Sequence, residues 1–176
     1  FYREFKITYR SIYDLFTVII FFLLGILIFV FSIGTDKEVF KYISVGIIWT
    51  LLLLTTNLSI NKFYKEDFTD GNIILFNISG ISLEFIVIIK LICMWLFFQL
   101  PFIFIIPVGC IMLEIETNKI YLIIYTFLIG SPILTSLASI SGAMNLLNNK
   151  NFSMASIIIM ILSIPLIIFG VGIVNA

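Results

Sequence analysis

Apolar runs with few or no charges recur along this chain, several longer than the roughly eighteen residues a helix needs to cross a bilayer. They lie near 15–34, 43–60, 83–113, 120–146 and 152–174, and predict an all-α, polytopic transmembrane helix bundle of five spans. With 61% of its 176 residues hydrophobic and 11% charged, a soluble domain of this size could not cover its own apolar surface. A net charge of zero is at odds with the basic patch of a nucleic-acid binder. The chain has no histidine, which excludes histidine general acid–base catalysis, histidine metal sites and histidine ligation of haem. Cys93 and Cys110 are seventeen positions apart, about 25 Å along a helix, too far for a disulfide, and read as small apolar residues.

Residues 1–14, "FYREFKITYRSIYD", fit an amphipathic helix. Tyr2, Phe5, Tyr9, Ile12 and Phe16 form one face, and Arg3, Lys6 and Arg10 run along a neighbouring edge. Such a helix lies in the headgroup region with its rings inward and its cations toward phosphates; a short cytosolic tail of the first span is the alternative. A polar loop is expected at 35–41 and another at 114–119. Between them the third run carries Lys90, Gln99, Pro101 and Pro107. Its prolines predict that it is no single straight helix, but a span ending near Pro101 followed by a short outer-side helix or re-entrant piece. Basic residues set the orientation. With the N-terminus in the cytoplasm, the inner side holds Arg3, Lys6, Arg10, Lys62, Lys65, Lys90 and Lys150, against Lys37, Lys41 and Lys119 outside. On this reading the segment 61–82 faces the cytoplasm.

There is no Walker A motif, paired-cysteine metal spacing or nucleophile elbow, and so no catalytic or metal residue to nominate. The Asn-x-Ser triplets at Asn57, Asn77 and Asn151 fall in a span or on the inner side, where glycosylation does not reach. Polar residues inside apolar runs are functional candidates by default, here Lys90, Gln99 and Asn145. Lys90, about two turns from the inner end, is expected to snorkel; Gln99 and Asn145 are expected to hydrogen-bond between helices. Ser136, Ala138, Ser139, Ser141, Gly142 and Ala143 predict close helix packing in the fourth span.

The stretch "INKFYKEDFTDGNI" (60–73) concentrates charge between two apolar runs. As a helix it puts Glu66 and Asp70 one turn apart on a face with Lys62, and Tyr64 and Phe68 on a neighbouring apolar edge. This predicts a docking element at the membrane surface. Tyr64 and Phe68 would enter a partner's apolar cleft, Glu66, Asp67 and Asp70 would meet basic residues, and Gly71 would let the chain leave the helix.

The order of "FYKEDFTDG" (63–71), "QLP" (99–101), "IIP" (105–107), "GSPILTSL" (130–137) and "IPLIIFGVG" (164–172) resembles the cytochrome c maturation protein B family over essentially the whole chain. These are permease subunits of haem-exporter-type ABC transporters. The resemblance implies a type-2 ABC exporter-like permease of six spans, so a sixth apolar run is expected beyond Ala176. Its implied partners are a cytosolic ABC ATPase subunit, which binds ATP, a haem-handling membrane protein with a small accessory subunit, and a periplasmic haem chaperone. Haem is implied as a substrate of the complex, with no cofactor bound by this chain. The implied location is the bacterial inner membrane or, alternatively, the mitochondrial one. An ABC permease for a lipid or drug, and a scaffold subunit that only anchors its partners, are the competing readings.

Overall fold

The computed structural model describes residues 12–34, 37–59, 64, 67–68, 70–72, 78, 80, 82–147 and 152–175. Long apolar sequence leaves the backbone no water to bond with in a bilayer, so it bonds to itself as helix. The helices are α1 (Ile12–Ile33), α2 (Lys37–Ser59), α3 (Leu83–Met94), α4 (Phe102–Met112), α5 (Thr117–Leu147) and α6 (Phe152–Asn175). A π-helical turn, Trp95–Gln99, joins α3 to α4. Among the described residues there is no strand. Among the described residues, four stretches are long and apolar enough to cross a membrane: Ile12–Ile33, Tyr42–Ser59, Leu83–Met112 and Thr117–Met144. α6 is apolar throughout its 24 residues, Met160–Asn175 included. The protein is thus an all-α bundle of apolar helices suited to spanning a membrane.

Two boundaries differ from expectation. Lys37 already lies in α2, and Thr117–Lys119 lie in α5, so both polar loops shrink to a few residues. Residues 1–11, with Arg3, Lys6 and Arg10, lie outside the described residues.

The core is built on small residues facing large ones. Trp49, 1% exposed, is seated between Gly130 of α5 and Gly170 of α6, where an added Cβ would fall 2.8 and 2.5 Å from indole atoms. Gly25 meets Leu51, and Gly109 meets Ile26 and Phe22. Phe102 stands edge-on to Phe22 at 5.2 Å and to Phe127 at 6.5 Å, the quadrupole-favoured geometry. Small-to-large pairing lets backbones approach closely, and packing rather than water exclusion holds helices together in lipid. Phe16, Ile20, Leu24, Ile28 and Phe31 of α1, and Tyr121, Tyr125 and Leu128 of α5, are exposed, as lipid-facing side chains are. Several Ser and Thr hydroxyls donate to their own helices. Thr55 bonds the Leu51 carbonyl at 2.9 Å and Thr135 that of Ser131 at 2.9 Å, so neither hydroxyl proton is left bare in an apolar surround.

The third run does break at its centre, but it does not turn back. The Leu100 N–H donates to the Trp95 carbonyl five residues back at 3.1 Å, and those of Ile103 and Phe104 bond only three residues back. Pro101, which has no N–H, sits at the changeover. Beyond it the direction is kept: Phe102 packs on Phe22, Gly109 on Ile26 further along α1, and the Leu113 carbonyl accepts from Ser44 Oγ at 3.2 Å. The re-entrant expectation is therefore corrected. A π-turn absorbs the proline in place, because one extra residue per turn relieves the ring's clash without ending the helix.

Candidate functional site

Between α2 and α3, the described residues Tyr64 and Asp67 are buried against the bundle. The Phe68 N–H bonds the Tyr64 carbonyl at 2.9 Å, closing one helical turn, and the Gly71 N–H bonds the Phe68 carbonyl at 3.3 Å. Gly71 has φ of 70°, in the left-handed region where a side chain is strained.

This turn divides its residues between two directions. Phe68, 54% exposed, and Asp70 point outward. Tyr64 and Asp67 point into the bundle. Asp67 is 4% exposed and forms an ion pair with Lys90 of α3, which is 5% exposed. Asn72 Nδ2 donates to the other carboxylate oxygen at 3.4 Å. The Lys90 ammonium also lies 5.8 Å from the Tyr64 ring centroid, within cation–π range. The Tyr64 hydroxyl and Ser139 Oγ of α5 share a hydrogen bond at 2.5 Å.

Two expectations are corrected by this geometry. Lys90 does not snorkel, because a carboxylate reaches it first, and an ion pair with further hydrogen bonds removes the need to extend to water. Asp67 and Tyr64 face this chain's own helices rather than a partner, which leaves Phe68 and Asp70 as the outward pair. Glu66 lies outside the described residues, as does the Asn145 side chain.

Directly above the ion pair sits the π-turn, pegged on both flanks. Trp95 Nε1 donates to Ser131 Oγ of α5 at 2.8 Å, and Gln99 Nε2 to Thr56 Oγ1 of α2 at 2.8 Å. Gln99 therefore bridges helices. Ser131, Ser139 and Thr56 were not singled out as site residues from the sequence; a short hydroxyl on an apolar helix reads as packing until its partner is known.

At the opposite end of the bundle a cavity of about 180 Å³ opens between the start of α2 and the α4–α5 connection, lined in part by Phe40, Ser44, Glu114, Glu116 and Lys119. It is smaller than the roughly 300–1,000 Å³ of pockets that enclose a drug-sized ligand. Glu114 adopts a positive φ of 53° there.

The sequence was compared with known families. The CcmB protein family matches residues 1–176, the whole chain. The chain belongs to the CcmB family. Heme exporter protein B of Haemophilus influenzae is 29% identical over 174 residues, 99% of this chain and 79% of the relative. That of Pseudomonas aeruginosa is 26% identical over 174 residues, 99% of this chain and 78% of the relative. The Escherichia coli K12 protein of the same name is 26% identical over 173 residues, 98% and 79%. The matches to these relatives run over nearly the whole of this CcmB-family chain.

Proposed function

We propose that this chain is the membrane-spanning permease subunit of a haem-exporter-type ABC complex that serves cytochrome c maturation. The observation that carries the reading is the match over all 176 residues to a family whose similar members are named heme exporter protein B. In this reading the ATP is bound and hydrolysed by a separate cytosolic ABC ATPase subunit. A haem-handling membrane protein, its small accessory subunit and a periplasmic haem chaperone complete the assembly, and hydrolysis releases the haem-loaded chaperone. The chain sits in a bacterial inner membrane with its N-terminus cytoplasmic, an orientation supported by six inner against three outer basic residues once the buried Lys90 is set aside. That puts the 64–72 turn on the side of the ATPase. Phe68 offers an exposed ring to an apolar cleft and Asp70 a carboxylate to a basic rim, the pairing of anchor and steering charge that sets register.

The test uses the whole complex in membranes. Phe68→Ala with Asp70→Lys should leave the chain at its normal membrane level, cut co-purification of the ATPase at least tenfold and abolish cytochrome c assembly. Wild-type recovery of the ATPase would remove the docking role. A host lacking the gene that still matures its c-type cytochromes would remove the haem assignment and leave the lipid, drug and scaffold readings.

A further inference from the structure

The proposed function needs the ATPase's movement to reach the spans, and the residue that would carry it cannot be one that only touches the partner. We propose that Asp67 and Lys90 are a tether that makes the docking turn and α3 move as one body, with the π-turn Trp95–Gln99 as the hinge about which that body swings. The inference rests on the permease reading and adds to it the route of the drive.

Three observations meet here. First, the turn is fastened to the bundle from inside: the ion pair holds it to α3 and the Tyr64–Ser139 hydrogen bond at 2.5 Å holds it to α5. Both charges are at least nine-tenths buried, so parting them would separate two opposite ions out of reach of water. A push on Phe68 or Asp70 is therefore delivered to α3 before it can break the contact. Second, α3 ends one turn beyond Lys90 in a change of helical hydrogen bonding, from four-back to five-back to three-back across Trp95–Phe104. Sharp bends in helices occur at such π-turns and at prolines, and here the two coincide. Third, the pegs on the hinge are single neutral hydrogen bonds, Trp95 to Ser131 and Gln99 to Thr56, each at 2.8 Å. In membranes such bonds average well under the strength of a buried ion pair, so the weak points lie at the hinge and the strong one at the tether.

The experiment measures the bend directly. Spin labels are placed at Phe85→Cys and Phe104→Cys, on either side of the hinge and 57% and 81% exposed, with Cys93 and Cys110 replaced by alanine. The labelled chain is reconstituted with its ATPase, and the distance between labels is read with and without ATP. Three tethers are compared: wild type, Asp67→Leu with Lys90→Leu, and the reversed pair Asp67→Lys with Lys90→Asp. The expected result is an ATP-dependent shift in the wild type, its loss in the leucine pair with ATPase recovery retained, and its return in the reversed pair. A purely structural ion pair would let the leucine pair keep the shift, which overturns the tether. No shift in the wild type overturns the hinge, and loss of ATPase binding in the leucine pair alone assigns the ion pair to shaping the dock and overturns transmission. If the leucine pair fails to insert, the reversed pair decides: shift kept supports the tether, shift lost overturns it. A wild-type chain that never retains the ATPase overturns the permease reading, and the tether with it.

Discussion

Lys90 and Asp67 are twenty-three positions apart, and neither makes sense without the other. A cation inside an apolar run is conspicuous in sequence, but snorkelling and pairing both satisfy it, and the choice depends on where Asp67 packs. Glu84, six residues away, was the nearer candidate by distance along the chain and is exposed. Removing one charge should hurt more than removing both. Lys90→Met alone is expected to destabilise by about 3–5 kcal/mol, because it removes the ion-pair partner Lys90 from the buried Asp67 carboxylate. The leucine pair should recover most of that, as thermal unfolding of the detergent-solubilised protein would report. At Trp49 the constraint is shape. Gly130→Ala and Gly170→Ala each push a methyl into the indole and should lower stability by about 1–3 kcal/mol. Trp49→Phe should be close to neutral, since the buried Nε1 has no hydrogen-bond partner among the described residues and losing that donor offsets lost contact.

At the scale of elements, the helices follow from hydrophobicity alone, since a long uncharged run in a bilayer has no other way to satisfy its backbone. Their ends were less legible. The charged residues Lys37 and Lys119 marked loops in the sequence, yet both belong to helices, because a helix continues past the membrane surface as readily as within it. The third run shows the same limit: two prolines announce a defect, but whether the chain bends, stops or reverses depends on what α1 and α2 offer beyond it. Phe22 and Ile26 offer a continuous track, so the chain goes on. Gln99→Leu should weaken the junction of the π-turn with α2 by about 0.6–2 kcal/mol, the range for a hydrogen bond between membrane helices. Combined with Thr56→Val it should cost little more than either alone, and that non-additivity in a double-mutant cycle is the check.

For the whole molecule, α3 and α4 run on as one span, and α2 and α5 run against it: Ser44 and Thr56 of α2 meet Leu113 and Gln99, and Phe127 and Ser131 of α5 meet Phe102 and Trp95. The docking turn and the Glu116 connection thus lie at opposite ends. Cysteines introduced at Asp70 and Glu116 are expected to react with a membrane-impermeant thiol reagent from opposite faces, Asp70→Cys only in inside-out vesicles. Labelling of both from one face would contradict the proposed topology. The buried ion pair has one more consequence, which is electrical. Carrying a unit charge through 100 mV takes about 2.3 kcal/mol, enough to turn any moving charge in a membrane into a voltage sensor. Because Lys90 moves together with Asp67, the pair adds no net charge to the swinging body, and moving the pair does no net work against the membrane potential. Turnover should accordingly be the same in energised and de-energised vesicles. Asp67→Asn, which keeps the ammonium and discards its counter-ion, should make it depend on voltage.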